Sequence, residues 1–385
     1  MTMTWLPVHR CAQVGPQDAL TFADARSFTD QTVRQVLNLY AAGPVLRLHL
    51  SNRFGTETLA VGEIRAAIHL GDGAVDLATD RAVTVDGITQ VKIAPGETRV
   101  TDPVELPLPP GAGGVQLTVS IYHEVPSGLA TNYPTPLQPG YATRGNTTAA
   151  ATLESAELLA QLFWITGVDM QTTDDTAEAT RAPIVAAFGD SLTSGDGSTA
   201  GTNRRYPDNL ARRLGHPVLN LGISGNRLLR DGYGQAGLTR FQRDVLEIPG
   251  VSHVIIELGI NDLGQAGPQR QPQPSAADLI GGLTTLARRA RDAGVVPIVA
   301  TLPPFRDTIY PGAFTELGEQ TRQAVNDWIR TAAEAESVVD IAAALDDPDH
   351  PGRLHPDLDS GDRLHPNDLG YQAIADAVDL SILVR

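Results

Sequence analysis

Ser191, Asp362 and His365 are the residues whose types could together activate a nucleophile. A serine hydroxyl is weak at its ordinary pKa, so it needs an imidazole to accept its proton and a third group to hold that imidazole in one tautomer. Asp362 precedes His365 by three residues, a spacing that places both side chains on one side of a single turn if the segment is helical or turn-like. This set predicts acyl transfer with Ser191 as the nucleophile.

Acyl transfer also needs hydrogen-bond donors for the charge that develops on the carbonyl oxygen of the substrate. Gly225 offers a backbone N–H, Asn261 offers a side-chain amide, and Ser191 offers its own N–H. We expect these groups to form an oxyanion hole. Each residue also has an ordinary explanation, because Asp190 or Ser191 could cap a helix, and Gly225 and Asn261 could be turn or cap residues.

His355 is an alternative to His365 as the base. The run Arg353-Leu354-His355-Pro356 nearly repeats Arg363-Leu364-His365-Pro366, but Gly352 stands where the second run has Asp362. His365 is therefore the better candidate, although an acid from elsewhere in the chain could orient His355.

Five short apolar segments precede or separate these residues and are typical of buried parallel strands. They cover residues 184–188, 218–221, 254–258, 297–302 and 338–341. Ser191, Gly225 and Asn261 each follow the end of one segment, and ligands of an open α/β sheet bind at the carboxyl ends of its strands.

Helical patterns lie between and after these strands. Residues 207–214 open with a proline at a first-turn position, and residues 279–293 repeat apolar side chains before Gly294. Residues 369–383 are predicted to form a last amphipathic helix with Ile374, Val378 and Ile382 facing inward. Alternating strands and helices indicate βαβ units.

The first part of the chain follows a different pattern. Residues 45–50 alternate so that Leu46, Leu48 and Leu50 share one face, which is typical of a half-buried strand. Turn residues separate several such segments, as in an antiparallel sandwich or barrel. We predict a β-sandwich-like domain over residues 1–170, a linker over residues 171–182 and an α/β domain over residues 183–385.

The chemistry-bearing motifs together resemble the SGNH (GDSL-type) hydrolase family. They are Gly-Asp-Ser-Leu at 189–192, Gly225 in Ile-Ser-Gly-Asn, Asn261 in Gly-Ile-Asn-Asp, and Asp362-x-x-His365-Pro, in that order. The resemblance spans roughly residues 184–385. It implies a three-layer α/β/α fold with a mainly parallel five-stranded sheet. It also implies Ser191, Asp362 and His365 as the triad, and Ser191, Gly225 and Asn261 as the oxyanion hole.

The N-terminal half looks like the β-rich domain, of sandwich or jelly-roll type, that precedes the hydrolase domain in a bacterial subgroup of this family. The segments that carry this likeness are Gln31-Thr32-Val33-Arg34-Gln35 and Leu50-Ser51-Asn52-Arg53-Phe54-Gly55-Thr56. Relatives in that subgroup often look secreted. The first residues of the sequence contain neither a basic region nor an apolar run typical of a signal peptide, so we expect a cytoplasmic protein, or a secreted one if a signal was removed.

Composition argues against several classes of partner. A formal net charge of −16 does not favour binding to nucleic acid or to anionic lipid, and no apolar run is long enough to cross a bilayer. Cys11 is the only cysteine, so neither an intrachain disulfide nor a cysteine-based zinc site can form. We expect no cofactor and no metal.

The sequence therefore predicts a serine hydrolase of carboxylic esters that forms an acyl-enzyme, with a short-chain or acetyl ester as substrate, carried by a small molecule or a carbohydrate. Two alternatives use the same chain differently: an acyltransferase with the same triad, and a carbohydrate-binding protein with a vestigial hydrolase domain. In the β domain, Tyr122, Tyr133 and Tyr141 could line a sugar-binding or substrate-gating surface, although an ordinary packing or surface position is the favoured explanation for them.

Overall fold

The computed structural model describes residues 4–18, 24–41, 43–108, 114–172, 183–264, 272–332 and 335–383. The chain divides into two compact units. The N-terminal unit comprises Met1–Ala182 with Gly215–Pro217, and the C-terminal unit comprises Pro183–Leu214 with Val218–Arg385. Of the predicted linker, residues 171–172 belong to a strand of the N-terminal unit, and residues 173–182 lie outside the described residues.

The N-terminal unit is built from antiparallel strands. They are β1 (Thr4–Arg10), β2 (Gln31–Leu39), β3 (Gly43–Ser51), β4 (Leu59–Val61), β5 (Glu63–Gly71), β6 (Ala74–Val75), β7 (Arg81–Val83), β8 (Val91–Ile93), β9 (Thr98–Val100), β10 (Val104–Leu108), β11 (Val115–His123), β12 (Asn132–Tyr133), β13 (Gly140–Arg144), β14 (Glu157–Leu159), β15 (Leu162–Phe163) and β16 (Ile165–Thr172). Two larger sheets run in the orders β1-β16-β3-β10, with β9 on β3, and β14-β13-β2-β11-β5-β6, with β7 on β5. The all-β prediction is confirmed.

Both larger sheets contribute to one hydrophobic core. Leu46, Leu48 and Leu50 of β3 are buried on one face, as the alternation predicted, and they share the core with Leu37 of β2 and Leu117 of β11. Apolar side chains from two sheets thus meet in one layer, as in a sandwich.

Two of the three tyrosines considered for a sugar-binding surface belong to the interior of this unit. Tyr133 is 2% exposed and Tyr141 is 9% exposed, so the packing explanation is correct for both. Tyr122 is half-buried, and its hydroxyl donates to Asp30 at 3.1 Å.

The C-terminal unit contains the predicted parallel sheet. Its strands are β17 (Ile184–Gly189), β18 (Val218–Asn220), β19 (Val251–Glu257), β20 (Val296–Ala300) and β21 (Ser337–Val339), in the order β18-β17-β19-β20-β21. Every neighbouring pair is parallel. All five predicted strands are confirmed, and their ends lie within three residues of the predicted ends.

Helices pack on this sheet to give the three-layer α/β/α arrangement. They are α1 (Ser191–Ser194), α2 (Tyr206–Leu214), α3 (Gly237–Phe241), α4 (Ile260–Leu263), α5 (Ala276–Asp292), α6 (Glu316–Ala332), α7 (Ile341–Leu345), α8 (Asp368–Asp376) and α9 (Leu380–Leu383). The helices form two groups by their contacts. In one group α8 contacts both α2 and α7, and in the other α5 contacts both α6 and α3. Across the described part of the chain, no helix has both the length and the apolar character needed to cross a membrane.

The predicted single helix over residues 369–383 is wrong. The structure divides it into α8 and α9, which are separated by residues 377–379. Asp379 accepts the N–H of Ser381 at 2.9 Å, so it caps the start of a new helix instead of continuing the old one. Ile374 and Val378 are buried as expected, whereas Ile382 is half-buried.

Candidate active site

Ser191, His365 and Asp362 form one hydrogen-bonded chain. Nε2 of His365 lies 2.8 Å from Oγ of Ser191, and Nδ1 of His365 lies 2.5 Å from Oδ2 of Asp362. Ser191 is 4% exposed and His365 is 8% exposed, so the bonds are largely protected from water. The arrangement lets His365 take the proton of Ser191 while Asp362 orients the ring and stabilises its charged form.

A tight loop before α8 holds the acid and the base. Oδ1 of Asp362 accepts the N–H of Leu364 at 2.9 Å and the N–H of His365 at 2.7 Å. Arg363, between them, has a φ of +60°, a left-handed conformation that is unusual for a residue with a side chain. The three-residue spacing therefore corresponds to a turn in which the carboxylate of Asp362 also accepts the backbone N–H of His365.

Tyr310 also contacts Asp362, and sequence reasoning missed it. Its hydroxyl donates to Oδ2 of Asp362 at 3.0 Å. The two preceding residues bind the backbone carbonyl of Asp362, through the N–H of Ile309 and the hydroxyl of Thr308, each at 3.1 Å. These residues follow β20 at the carboxyl edge of the sheet, so a search of every post-strand segment could have found them.

Charge around the imidazole favours its protonated form. Burial lowers the pKa of His365, but the hydrogen bond with Asp362 and the charges of Asp196, Asp362 and Asp190 outweigh it, and the net shift is upward. Burial would raise the pKa of Asp362, yet its bond to His365 and the loop N–H groups lower the pKa to about 2. The pair is thus arranged as a carboxylate beside an imidazole that readily accepts a proton.

The nucleophile lies at the start of a helix. Asp190 is the N-cap residue of α1, and its Oδ1 accepts the N–H of Leu192 at 3.1 Å. The capping explanation is therefore correct for Asp190, while Ser191 occupies the first helical position with its hydroxyl on His365. The N–H of Ser191 has no acceptor among the described residues, as expected in a first helical turn.

Gly225 lies in a loop that is tied to the surroundings of Ser191. Its φ is +73°, and a Cβ there would lie 2.7 Å from the ring of Tyr233, so a glycine is required. The hydroxyl of the preceding residue, Ser224, donates to Asp196 at 2.8 Å. Within the described parts of the chain the Gly225 N–H has no acceptor, so it is available to a ligand.

Asn261 points its amide nitrogen at the cap of the nucleophile helix. Nδ2 lies 3.0 Å from Oδ2 of Asp190 and 3.1 Å from the carbonyl oxygen of Asn226. Both amide hydrogens therefore have protein acceptors, and the bond to Asn226 or the bond to Asp190 must be exchanged before Asn261 can donate to a substrate. The structure thus brings Asn261 to the turn that carries Ser191.

His355 caps a short 3₁₀ turn, Pro356–Leu358, and Nδ1 of its ring accepts the N–H of Asp357 at 3.2 Å. The imidazole that contacts Ser191 is that of His365.

Within the described ranges, no group of three or more His, Cys, Asp or Glu side chains could hold a metal ion.

Comparison with known proteins finds one family whose model matches the part of the sequence that contains these residues. Residues 187–373 match the model of the GDSL-like lipase/acylhydrolase family. No curated protein matches the sequence significantly.

Solved structures with similar folds have low identity to this chain. Est24, a carbohydrate acetylesterase from Sinorhizobium meliloti, is 18% identical over 51% of this chain and 95% of its own, with a TM-score of 0.40. A GDSL-like lipase from Bacteroides thetaiotaomicron is 20% identical over 54% and 91%, with a TM-score of 0.41. A carbohydrate esterase family 2 enzyme with a carbohydrate binding domain, from Corynascus thermopiles, is 13% identical over 98% and 97%, with a TM-score of 0.41.

Proposed function

Since the chain carries a domain of the GDSL-like lipase/acylhydrolase family over residues 187–373, we propose that it hydrolyses carboxylic esters through an acyl-enzyme on Ser191. The observation that carries the proposal is the pair of hydrogen bonds made by His365. Its Nε2 lies 2.8 Å from Oγ of Ser191, and its Nδ1 lies 2.5 Å from Oδ2 of Asp362. Its partner would be a small-molecule or carbohydrate ester.

The reaction proceeds in two steps. Oγ of Ser191 attacks the ester carbonyl carbon while its proton passes to Nε2 of His365; the tetrahedral intermediate then collapses, and His365 gives that proton to the departing alkoxide. Water next attacks the acyl-enzyme, losing a proton to His365, which returns it to Oγ of Ser191 as the carboxylic acid leaves. Asp362 keeps the imidazole in the tautomer with its proton on Nδ1.

The negative oxygen of each tetrahedral intermediate needs fixed donors. The N–H groups of Ser191 and Gly225 have no acceptor in the described structure, which suits them to this role. Asn261 would join them by exchanging its bond with the Asn226 carbonyl for one with the oxyanion.

We propose short acyl chains, such as acetyl, on soluble alcohols or sugars as the substrates. The net charge of −16 makes an anionic lipid surface an unfavourable place for this protein to work. The same triad would pass an acyl group to an alcohol if water were kept from the acyl-enzyme.

The decisive experiment is hydrolysis of p-nitrophenyl esters from acetate to palmitate by the wild type and by Ser191→Ala. We expect activity that is greatest with acetate or butyrate and absent in the variant. Labelling of Ser191 by a serine-directed phosphonate provides a second readout, because a binding protein with a vestigial site should not react. No hydrolysis at any chain length together with no labelling would contradict the proposal. Ester formation on adding an alcohol would favour the acyltransferase.

A further inference from the structure

Glu257 is a buried carboxyl group beside the nucleophile turn that the reaction described above does not use. It is the last residue of β19, paired in register with Gly189, and it is 1% exposed. Asp190, which follows Gly189 and caps α1, is fully buried. Two acidic side chains therefore lie inside the protein directly behind Ser191.

The contacts of Glu257 all lead to the nucleophile turn. Its Oε2 accepts the hydroxyl of Thr193 at 3.1 Å and the N–H of Asp190 at 3.4 Å. A Cβ on Gly189 would lie 2.7 Å from the same oxygen, so the absence of a side chain there admits Glu257. Its other oxygen, Oε1, is buried and accepts no hydrogen bond from the described residues.

Two negative charges at this place would be strongly unfavourable. Burial raises the pKa of both carboxyl groups. The negative charge of Asp190 and a hydrogen bond between the two groups raise the pKa of Glu257 further, whereas the same hydrogen bond lowers the pKa of Asp190. The nearby cation, Arg240, donates its hydrogen bonds to other groups. Its acceptors are the carbonyls of Gly189 and Leu221, the side chain of Asn226 and the carboxylate of Asp244. The other ionisable groups that face the pair are Asp196, Tyr206, His365 and Tyr371.

One shared proton resolves this conflict. A proton on Glu257 would let it donate to Asp190 and would leave the pair with a single negative charge, on Asp190. Asp190 then retains two acceptor oxygens for the site: Oδ1 for the N–H of Leu192 and Oδ2 for the amide of Asn261, at 3.1 Å and 3.0 Å.

We propose that Glu257 is a proton-bearing positioning residue: by donating to Asp190 it fixes the amide of Asn261 and the first turn of α1, and so aligns the oxyanion donors around Ser191. This role rests on the proposed ester hydrolysis.

The reason for a functional role, beyond packing, lies in the two hydrogens of the Asn261 amide. Asp190 anchors one of them, and the other, on the Asn226 carbonyl at 3.1 Å, is the one that an oxyanion can recruit. Loss of the anchor would let the amide rotate, which affects the transition state more than the bound substrate. The expected defect is therefore in kcat and not in KM.

The test compares Glu257→Gln with Glu257→Met. Glutamine keeps the size of the side chain and the ability to donate that the protonated acid has, whereas methionine keeps only the size. We expect Glu257→Gln to retain kcat for p-nitrophenyl acetate within about threefold, with an unchanged pH profile. We expect Glu257→Met to lose about 10- to 100-fold in kcat with little change in KM. Thermal unfolding shows whether each variant is folded.

Infrared spectroscopy provides a readout that does not depend on turnover. The C=O stretch of a protonated carboxylic acid should be present at neutral pH in the wild type and reduced in Glu257→Gln. Glu319→Gln, which removes another buried glutamate that pairs with Arg322 at 2.7 Å, is the matched control and should leave the band unchanged.

Three results would overturn the inference. The first is a folded Glu257→Gln variant that loses more than about tenfold in kcat, and the second is a folded Glu257→Met variant with full kcat. The third is an infrared spectrum in which no carboxylic acid C=O band depends on Glu257. If Glu257→Met does not fold, Glu257→Gln and the infrared band still decide. A wild type that hydrolyses no ester would refute the proposed function and the positioning role with it, while the band would still report the proton on Glu257.

Discussion

The hydroxyl of Tyr310 donates to Oδ2 of Asp362 at 3.0 Å, and this is the same oxygen that lies 2.5 Å from Nδ1 of His365. Two donors on one carboxylate oxygen restrict the rotation of Asp362 and therefore the orientation of the imidazole. The ring of Tyr310 also meets the imidazole edge to face, with centroids 6.0 Å apart. Tyr310 thus joins the segment after β20 to the acid and base of the candidate site.

Tyr310→Phe should lower kcat by about three- to tenfold. A hydrogen bond to a charged group contributes about 1.5–3 kcal/mol, but Tyr310 is 43% exposed, so water can replace part of the bond. Steady-state kinetics on p-nitrophenyl acetate measure the effect. Thr308→Val is the control, because it removes a neighbouring hydroxyl that binds only the backbone carbonyl of Asp362. Equal losses in both variants would show that the loop, and not the phenol, is responsible.

His365→Ala should lower kcat by about 10⁴-fold or more, since the residues of a triad act as a unit. His355→Ala should remain within about twofold of the wild type, because the hydrogen bond of its imidazole in the described structure is to the N–H of Asp357 in the local turn. Kinetics of the two variants in parallel test the choice between these similar motifs. Comparable losses in both would contradict it.

Asp196→Asn should move the acidic limb of the pH–kcat/KM profile to lower pH by about half a unit to one unit. His365 must be neutral to accept the proton of Ser191, so activity rises as pH passes its pKa, which is raised above the ordinary value. The negative charge of Asp196 contributes to that upward shift, and its removal lowers the pKa of His365. Asp376→Asn removes an exposed charge that pairs with Arg213 and should not move the profile. A shift to higher pH in Asp196→Asn would refute the assignment.

Asn261→Ala should lower kcat by about 10²–10³-fold with little change in KM, the usual effect of removing one oxyanion donor. Asn146→Ala removes a surface amide that binds Glu63 in the N-terminal unit and serves as the control. An unchanged kcat in Asn261→Ala would exclude Asn261 from the oxyanion hole.

Gly189→Ala should destabilise the fold by about 2–3 kcal/mol, because an added Cβ overlaps Thr193 and lies 2.7 Å from Oε2 of Glu257. Gly281→Ala is the matched substitution at an exposed position of α5, where no atom lies within 4 Å of the new Cβ. It should stabilise the protein by about 0.5–1 kcal/mol through helix propensity. Urea unfolding of both variants measures the difference, and equal free energies of unfolding would contradict the overlap.

The sequence by itself determined the elements and the chemical types of the candidate site. Apolar runs of strand length give the parallel sheet, and period-two alternation gives the β region, because both patterns are local consequences of which side chains must be buried. Ser191, Gly225 and Asn261 could be recognised because each follows a strand, where the carboxyl edge of the sheet gathers ligand-binding loops. The pattern failed at residues 377–379, where apolar spacing continues but Asp379 caps a new helix.

Only the tertiary structure decided which of these groups touch. His365 meets Ser191 across 174 residues, Tyr310 meets Asp362 across 52, and Glu257 lies next to Asp190 across 67. The motif Arg-Leu-His-Pro occurs twice, and folding brings one of its two imidazoles to the nucleophile. Periodicity and propensity record how a residue relates to its own helix or strand, whereas these contacts depend on how strands and loops pack together, which the local sequence does not encode.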